Sequence, residues 1–368
     1  MTLVRVADLL TRPCPWLSSP GTEGAVVVSS RIRLARTWAD YPFHRKLSRA
    51  RQEELTSRLV EHLLSVIPEG VAFPMGGLDE FERAALVERQ VISRELAAAK
   101  RPGAVVLAEE RDLVVAAMVN EEDHLRLQVI GPGLNLSRLL ERAVAIDQAM
   151  EKRVPWSTHP RLGYLTACHT NVGTALRASC MLHLPALAEI GELKQVLRAL
   201  NVLHLAVRGD HGEGSEAAGH CYQISNARSL GHDEGWFAVS IHEAVGRVAQ
   251  AELLARRQML AKARSRLEDK VFRAWGLLST ARRLTTEELA GELSWLRLGT
   301  ALDVLDQGTW AIPTDRRWRI LDQLALLPQP AHLQVRSGTA LDAPVRDEHR
   351  AHLVRALLAG RSPDVPRN

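Results

Sequence analysis

Residues 24–36, GAVVVSSRIRLAR, are rich in β-branched side chains and predict a β-strand that bears arginine. Alternate residues of a strand point to opposite faces of its sheet. One face then carries Val26, Val28, Ser30, Ile32 and Leu34. The other face carries Ser29, Arg31 and Arg33, so two arginines stand side by side away from the core. A solvated sheet edge is the ordinary explanation for such a pair, unless other strands repeat it.

A second segment, MVNEEDHLRLQVI at residues 118–130, does repeat the pattern. Alternation places one set of polar side chains on a single face: Asn120, Glu122, His124 and Arg126. The opposite face is apolar, with Leu125, Leu127 and Val129. Burying three consecutive acids, at 121–123, in an apolar strand pair costs free energy unless they pair with cations or take part in binding or catalysis. The alternative is a tight hairpin turn, although such turns usually carry glycine or Asn-Gly.

Two further stretches carry residues suited to chemistry. YLTACHTNVGTALRAS, residues 164–179, contains a free cysteine, Cys168, which either contacts a substrate or is a buried small hydrophobe. VRGDHGEGSEAAGHCYQISN, residues 207–226, has glycines around Arg208 and Glu213, as suits a loop that closes over a ligand. No Walker A motif and no protein-kinase motif set is present. If the protein binds ATP, clustered arginines are the expected device.

Composition is that of a soluble globular protein, with 46% hydrophobic and 24% charged residues. No apolar run approaches the roughly 20 residues of a membrane span, and no signal peptide is evident, so we expect a cytoplasmic protein. The four cysteines lack C-x-x-C spacing, which argues against a disulfide framework or a zinc site. The formal charge of +4 comes from interleaved signs, so direct binding to nucleic acid is not expected.

Helix and strand signals divide the 368 residues into two parts. Strands and helices, including helices at 48–67 and about 135–153, alternate up to about residue 255. The rest of the chain is helical: Thr285 with Glu288 has a capping-box pattern, and Gly360 ends the last helix. We therefore predict a catalytic domain at 1–257 and a helical domain at 258–368.

Four motifs, in this order, resemble the signatures of the phosphagen (guanidino) kinase superfamily: SSRIRLAR, VNEEDHLR, LGYLTACHTNVGTALRAS and RGDHGEGSEAAGHCYQISN. The chain more closely resembles the McsB-type bacterial protein-arginine kinases. Its arginine strand lies almost at the N-terminus, with no helical domain before it. RDEHRA at 346–351 is similar to the phosphoarginine-sensing R-D-x-x-R-A motif of that family.

The resemblance implies an α+β fold, in which helices flank an antiparallel sheet and a helical C-terminal domain follows. It implies that ATP phosphates, with Mg²⁺, are clamped by Arg31, Arg33, Arg126, Arg177 and Arg208. Glu122 and Glu213 would orient the substrate guanidinium, which holds its proton until a carboxylate accepts it during transfer. Cys168 would lie beside that guanidinium as a thiolate, and Asn171 would shape the same loop.

The C-terminal motif has two interpretations. The resemblance implies that Arg346, Asp347 and Arg350 contact a phosphoarginine, with the acid on the guanidinium and the arginines on the phosphoryl group. The alternative is a salt-bridged helix surface, which is what charge runs usually are.

Three positions depart from the family pattern. His169 stands where proline is usual, His220 where asparagine is usual, and Gln90 where histidine is usual. None of these changes removes a clamp arginine or a substrate carboxylate, so we expect an active enzyme with altered affinity for nucleotide or substrate.

The function expected from the resemblance is ATP-dependent phosphorylation of accessible arginines in proteins. Such a kinase marks proteins for a Clp-type chaperone and protease and acts on a heat-shock repressor, with an activator protein and a homodimer as further expectations. The first alternative is a non-catalytic phosphoarginine-binding adaptor. The second is a small-guanidine kinase of the arginine or creatine type, which the absent N-terminal domain and the added C-terminal one disfavour.

Overall fold

An eight-stranded antiparallel sheet positions the four sequence motifs of the chain. The computed structural model describes residues 5–10, 12, 14–17, 21–209, 218–306 and 308–361. The strands are β1 (Val27–Arg36), β2 (Val71–Pro74), β3 (Ala104–Glu110), β4 (Leu113–Val119), β5 (Leu125–Pro132), β6 (Thr158–His159), β7 (Gly163–Tyr164), β8 (Leu176–His183), β9 (Leu205–Gly209) and β10 (Cys221–Asn226). Their order in the large sheet is β2-β3-β4-β5-β1-β8-β10-β9, and β6 pairs with β7 alone.

Helices surround this sheet and form the C-terminal part of the chain. They are α1 (Val6–Leu10), α2 (Arg49–Val66), α3 (Glu80–Glu88), α4 (Arg94–Ala98), α5 (Leu136–Glu151), α6 (Pro185–Glu189), α7 (Leu193–Val202), α8 (Glu234–Lys262), α9 (Arg264–Thr280), α10 (Thr286–Ala301), α11 (Thr314–Leu326), α12 (Pro330–Ser337) and α13 (Ala343–Leu358). Among the helices described, none combines the length and the apolar character needed to cross a membrane.

The two faces of the sheet are covered differently. One face packs on α2, α5 and α8 and forms the main core, which includes Ile32, Leu34, Leu127 and Val129. On the other face, α1, α3, α4, α12 and the turn at Pro15–Leu17 form a second, smaller core, which covers β2, β3 and β4 and reaches Ile130 of β5 and Val28 of β1. Beside this core, residues of β4, β5, β1, β8 and β9 line a cavity. The arginines lie on this part of the sheet.

The structure confirms the predicted fold class, an antiparallel sheet flanked by helices with a helical C-terminal region. Ser48 caps the helix predicted at 48–67, and Thr285 caps α10 through the amide of Glu288. The predicted domain limit at 257/258 lies within α8, which continues to Lys262. The predicted domain limit therefore stays a prediction. The helical backbone of α8 is interrupted only at Ala263, between α8 and α9.

Two details of the strand alternation were wrong. A bulge between Val27 and Ser29 shifts the register of β1 against β8, so Val28 packs on the second face instead of joining Ile32 in the main core. The three acids do lie in a hairpin connection, between β4 and β5, and the left-handed residue that this turn needs is Asn120, with φ of 56°. His124 is consequently buried against Trp38 and Tyr41, away from Arg126.

A buried ion pair joins the end of β1 to helix α5. The guanidinium of Arg36 donates to Asp147, with Nη2 at 2.6 Å from Oδ2, and its Nη1 donates to the carbonyl of Thr174 at 3.1 Å. The same guanidinium lies 3.5 Å from the ring centroid of Tyr164. Arg36 thus fixes the segment that precedes β8 against the strand that bears the first two arginines.

Because Arg36 is only 1% exposed, its charge depends on this carboxylate. We expect Asp147→Ala to lower the free energy of unfolding by about 3–5 kcal/mol, since the variant leaves a buried cation unpaired. Asp112→Ala is the matched control: its carboxylate pairs with Arg138 at 2.8 Å on the surface, and its loss costs about 0–1 kcal/mol. Urea unfolding measures both, and equal losses would contradict the assignment.

Candidate functional site

Five arginines from four neighbouring regions of the sheet line one cavity of about 430 Å³: Arg31, Arg33, Arg126, Arg177 and Arg208. The register explains their convergence. Arg33 is the cross-strand partner of Gln128 on β5 and of Arg177 on β8, and cross-strand partners point to the same face. The structure therefore brings together all five predicted clamp residues.

The neighbours that orient these arginines are mainly uncharged. Arg31 donates from Nη2 to Oε1 of Gln223 at 2.7 Å, and from Nε to the hydroxyl of Ser179 at 3.4 Å. Arg177 donates from Nη2 to the hydroxyl of Ser225 at 3.0 Å. Amides and hydroxyls fix the direction of a guanidinium without neutralising it. The cluster keeps a strong positive charge.

Burial and mutual repulsion raise the cost of this charge. Burial, followed by the charges of Arg177 and Arg126, lowers the pKa of Arg31 to about 10. The pKa of Arg33 is shifted further down, first by burial and then by the other arginines, with only Glu121 acting in the opposite direction. Within the described residues, Nε of Arg33 is buried without a hydrogen-bond partner. A polyanion such as a nucleotide phosphate chain would relieve both costs.

Two of the three hairpin acids, Glu121 and Glu122, share one arginine in the site. Arg126 bridges two of them, donating from Nη1 to Oε1 of Glu121 at 2.7 Å and from Nη2 to Oε2 of Glu122 at 2.9 Å. Glu121 is fully buried and also accepts from the hydroxyl of Ser93 at 2.7 Å. Glu122, which lines the cavity, is the acid that the sequence predicted for substrate. Glu121 was missed as a site residue, although the cost of three adjacent acids was a signal for it.

Cys168 and Asn171 lie on the cavity wall beside Glu122. The amide Nδ2 of Asn171 is 3.5 Å from Oε2 of Glu122, and the thiol of Cys168 is 3.0 Å from the hydroxyl of Thr170. Cys168 is partly exposed, whereas Cys14 and Cys180 are buried. Burial raises the pKa of each of those two thiols to about 12. The thiol at the cavity is therefore in a different environment from the structural ones.

The third hairpin acid anchors the cysteine loop. Asp123 is 1% exposed, and its Oδ1 accepts from the amide of Ala167 at 2.6 Å and from the hydroxyl of Thr37 at 3.1 Å. Burial raises the pKa of this carboxyl to about 6, against the two hydrogen bonds that lower it. Asp123 thus ties the loop of Cys168 to the strand end after β1.

Several predicted positions lie elsewhere or cannot be placed. Glu213 lies outside the described residues, as does the centre of its glycine-rich loop. Gln90 lines the cavity with a left-handed backbone, φ of 60°, and its carbonyl accepts from Gln128. His169 is exposed beside Cys168. His220 contacts the hydroxyl of Ser294 on α10 at 2.8 Å, away from the cavity.

The C-terminal motif is only partly available to a ligand. Arg350 is 1% exposed and donates to the carbonyls of Pro328 at 3.0 Å and Leu284 at 2.7 Å, and to Asp347 at 2.5 Å. Its hydrogen bonds are thus made within the fold. Arg346 and Asp347 are partly exposed. A role of Arg350 in binding phosphoarginine directly stays a prediction, and the contacts give it a structural role first.

Within the described residues, no group of three or more His, Cys, Asp or Glu side chains is placed to hold a metal ion. The donor set of the cavity is dominated by guanidinium groups, which repel cations. A Mg²⁺ ion that serves this site would arrive on the nucleotide phosphates, as part of the substrate.

Two family models match the chain in sequence. Residues 52–255 match the ATP:guanido phosphotransferase C-terminal catalytic domain, and residues 264–367 match the protein-arginine kinase McsB C-terminal domain. The chain belongs to the protein-arginine kinases of the ATP:guanido phosphotransferase family. Three of the five clamp arginines, Arg126, Arg177 and Arg208, lie within the first matched region, and β1 supplies the other two.

Similar protein-arginine kinases cover nearly the whole chain. One from Halalkalibacterium halodurans is 39% identical over 347 residues, which span 94% of this chain and 95% of that protein. One from Symbiobacterium thermophilum is 40% identical over 94% of this chain and 96% of its own length. One from Moorella thermoacetica is 40% identical over 95% and 99%, respectively.

Solved structures of other guanidino kinases share the fold. The substrate-free duplicated taurocyamine kinase from Schistosoma mansoni is 24% identical with a TM-score of 0.56, and the match covers 77% of this chain but only 44% of that duplicated chain. A lombricine kinase structure is also 24% identical, with a TM-score of 0.55 over 66% of this chain and 69% of its own.

The raised pKa of Asp123 predicts a pH-dependent stability difference. A carboxyl whose pKa is about 6 when folded and 3.8 in its ordinary state binds its proton more tightly in the folded protein, so its contribution falls as pH rises from about 4 to 6. We expect Asp123→Asn to gain stability relative to wild type across that window, by roughly 2–3 kcal/mol at pH 7. Urea unfolding at pH 4.5 to 7 measures the difference, and a pH-independent difference would contradict it.

Proposed function

We propose that this protein transfers the γ-phosphoryl group of ATP to the guanidinium of arginine side chains in proteins. The observation that carries the proposal is one cavity in which five arginines face Glu122, Asn171 and Cys168. The arginine side of the cavity suits a triphosphate, and the Glu122 side suits a cationic guanidinium. The names of the similar proteins support a protein substrate over a small guanidine.

The reaction needs charge stabilisation more than covalent chemistry from the protein. A guanidinium nitrogen attacks the γ-phosphorus, a P–N bond forms, the bond to the β,γ-bridging oxygen breaks, and ADP leaves. The arginines stabilise negative charge on the transferring group and on the leaving oxygen, and Mg²⁺ on the nucleotide adds to this effect. These donors are held in place before ATP binds, so little reorganisation is required.

Glu122 is suited to accept the proton that the nucleophilic nitrogen loses. A guanidinium nitrogen becomes nucleophilic only as a carboxylate orients it and accepts a proton. Both contacts of Glu122, to Arg126 and to Asn171, use Oε2, and within the described residues Oε1 makes no hydrogen bond. That oxygen is the one we assign to the substrate. Cys168 would pair with the same cation, and Glu213 would contact it from the glycine-rich loop.

The wider biology is proposed from the same family membership. We propose a cytoplasmic homodimer that phosphorylates accessible arginines, marks proteins for a Clp-type chaperone and protease, acts on a heat-shock repressor and responds to an activator protein. We further propose that the C-terminal motif binds phosphoarginine through Arg346 and Asp347, because these two side chains keep some exposure.

Incubation with Mg·ATP and an unfolded protein substrate tests the activity, with mass spectrometry under conditions that spare the acid-labile P–N bond. We expect phosphoarginine from wild type and a loss of about 10²–10³ in kcat for Glu122→Gln, since the proton acceptor is removed. Cys168→Ala measures how far the activity depends on the thiol. Cys221→Ala is its control, for which we expect wild-type activity. Equal activity of Glu122→Gln and wild type would contradict the proposed role of this carboxylate.

Binding of a phosphoarginine peptide tests the C-terminal motif separately. Asp347→Asn and Arg346→Gln should each weaken binding by about 10-fold, because a charge-assisted contact is lost. Arg350 is avoided because its removal disturbs three hydrogen bonds of the fold, whereas Asp347→Asn keeps a side-chain oxygen that can accept from Arg350. Unchanged affinity in both variants, measured by calorimetry, would favour the salt-bridged surface.

A further inference from the structure

One wall of the arginine cavity does not come from the sheet. It is formed by the end of α3, the start of α4 and the segment between them: Val87, Gln90, Ile92, Ser93, Arg94 and Glu95. The position of this wall sets the width of the space available to a nucleotide beside the arginines.

Two hydrogen bonds join the wall to residues next to the arginines. The carbonyl of Gln90 accepts from Nε2 of Gln128 at 2.5 Å, and Gln128 is the cross-strand neighbour of Arg33. The hydroxyl of Ser93 donates to the carboxylate of Glu121, which holds Arg126. A shift of the wall would therefore move Glu121, which holds Arg126, and Gln128, which lies across the strand pair from Arg33.

The wall is held on its outer side by the C-terminal region. Helix α12 packs on α3, and Glu88 at the end of α3 receives three hydrogen bonds from it. Oε1 accepts from the amide of Ala331 at 2.8 Å, and Oε2 accepts from the amide of His332 at 2.9 Å and contacts its Nδ1 at 2.7 Å. We call these contacts between Glu88 and α12 the Glu88–His332 clamp.

The clamp replaces a cap that α12 lacks. The N-cap residue of this helix, Gln329, makes no side-chain cap hydrogen bond, so its first amides need acceptors from elsewhere. A carboxylate at a helix N-terminus is also favoured by the helix dipole. His332 is fully buried and its Nδ1 faces an oxygen that only accepts, so Nδ1 carries the proton in this contact.

We infer that Glu88 and His332 are positioning residues, through which helix α12 holds the wall of the arginine cavity in place for the nucleotide. The inference rests on the proposed function, since it assigns the cavity to ATP. It makes the C-terminal region part of the frame of the nucleotide site.

The clamp also connects the cavity to the C-terminal motif. Arg350 donates from Nε to the carbonyl of Pro328, two residues before α12 begins, and from Nη1 to the carbonyl of Leu284. Contacts therefore run from α13 through the start of α12 to Glu88 and the wall.

Glu88→Gln tests the inference, because it keeps the shape of the side chain and removes its charge and one acceptor oxygen. We expect KM for Mg·ATP and Kd for Mg·ADP to rise about 10-fold, with kcat at saturating nucleotide within about 2-fold of wild type. Glu189→Gln is the matched control: its carboxylate joins α6 to Arg266 and Lys270 of α9 at 2.7 and 2.6 Å, away from the wall. It should leave both constants unchanged.

Variants of His332 separate positioning from general stability. His332→Asn keeps a donor near the place of Nδ1 and should stay close to wild type, whereas His332→Leu removes the donor and should raise KM as Glu88→Gln does. The double variant Glu88→Gln/His332→Leu should be no worse than the single ones, because both remove the same contact. All assays run well below the unfolding temperature of each variant.

The outcomes distinguish the two proposals. If Glu88→Gln and His332→Leu keep wild-type KM and Kd, the clamp has no positioning role and the inference is wrong. If wild type binds Mg·ADP but forms no phosphoarginine, the proposed function fails, and the Kd comparison alone decides the clamp. If wild type binds no nucleotide, both are overturned.

Discussion

Repulsion among arginines on one face of the sheet is the constraint on which the rest of the structure depends. Burial, and after it the positive charges of neighbouring arginines, lower the pKa of Arg31 and of Arg33. Such a cluster persists only if rigid neighbours hold it. The antiparallel register supplies that rigidity, because each arginine is fixed between hydrogen-bonded strands. The cost is recovered when a polyanion binds, which is a form of preorganisation.

The positive charge of the arginines is only partly neutralised, and this explains which kinds of side chain hold them. Full neutralisation by carboxylates would remove the attraction for phosphates, so most supports are amides and hydroxyls. Carboxylates appear at one end of the cavity, where Arg126 lies between Glu121 and Glu122. The cavity therefore changes from cationic to anionic along its length. A nucleotide phosphate and a guanidinium can then bind next to each other without meeting like charge.

Much of this arrangement was predictable, because strand alternation and the four motifs point to the same residues. The arginine face and the approximate helix limits follow from local patterns, whereas the roles of Glu122 and Cys168 follow from the resemblance to a family. The bulge at Val28 does not follow from a local pattern, since it depends on how β1 pairs with a strand that lies about 150 residues later. The path of the hairpin depends on partners from other elements, among them Ser93 and Ala167. Glu121 and Glu88 could not be assigned either, because their partners come from other elements and a carboxylate in the sequence has no visible partner. The burial of Arg350 is similar: two of its three acceptors are backbone carbonyls, which carry no sequence signal.

The hairpin between β4 and β5 restricts how its own length can change. Two of its three successive carboxylates share Arg126, but only the first also accepts from Ser93, only the second lies beside Asn171, and the third holds the loop at Ala167. Surface loops ordinarily tolerate insertions and deletions. Here one extra or missing residue would place each carboxylate at the position of its neighbour, so the contacts of all three would be lost together. The length of this turn is therefore more tightly constrained by the fold than the length of an ordinary surface loop.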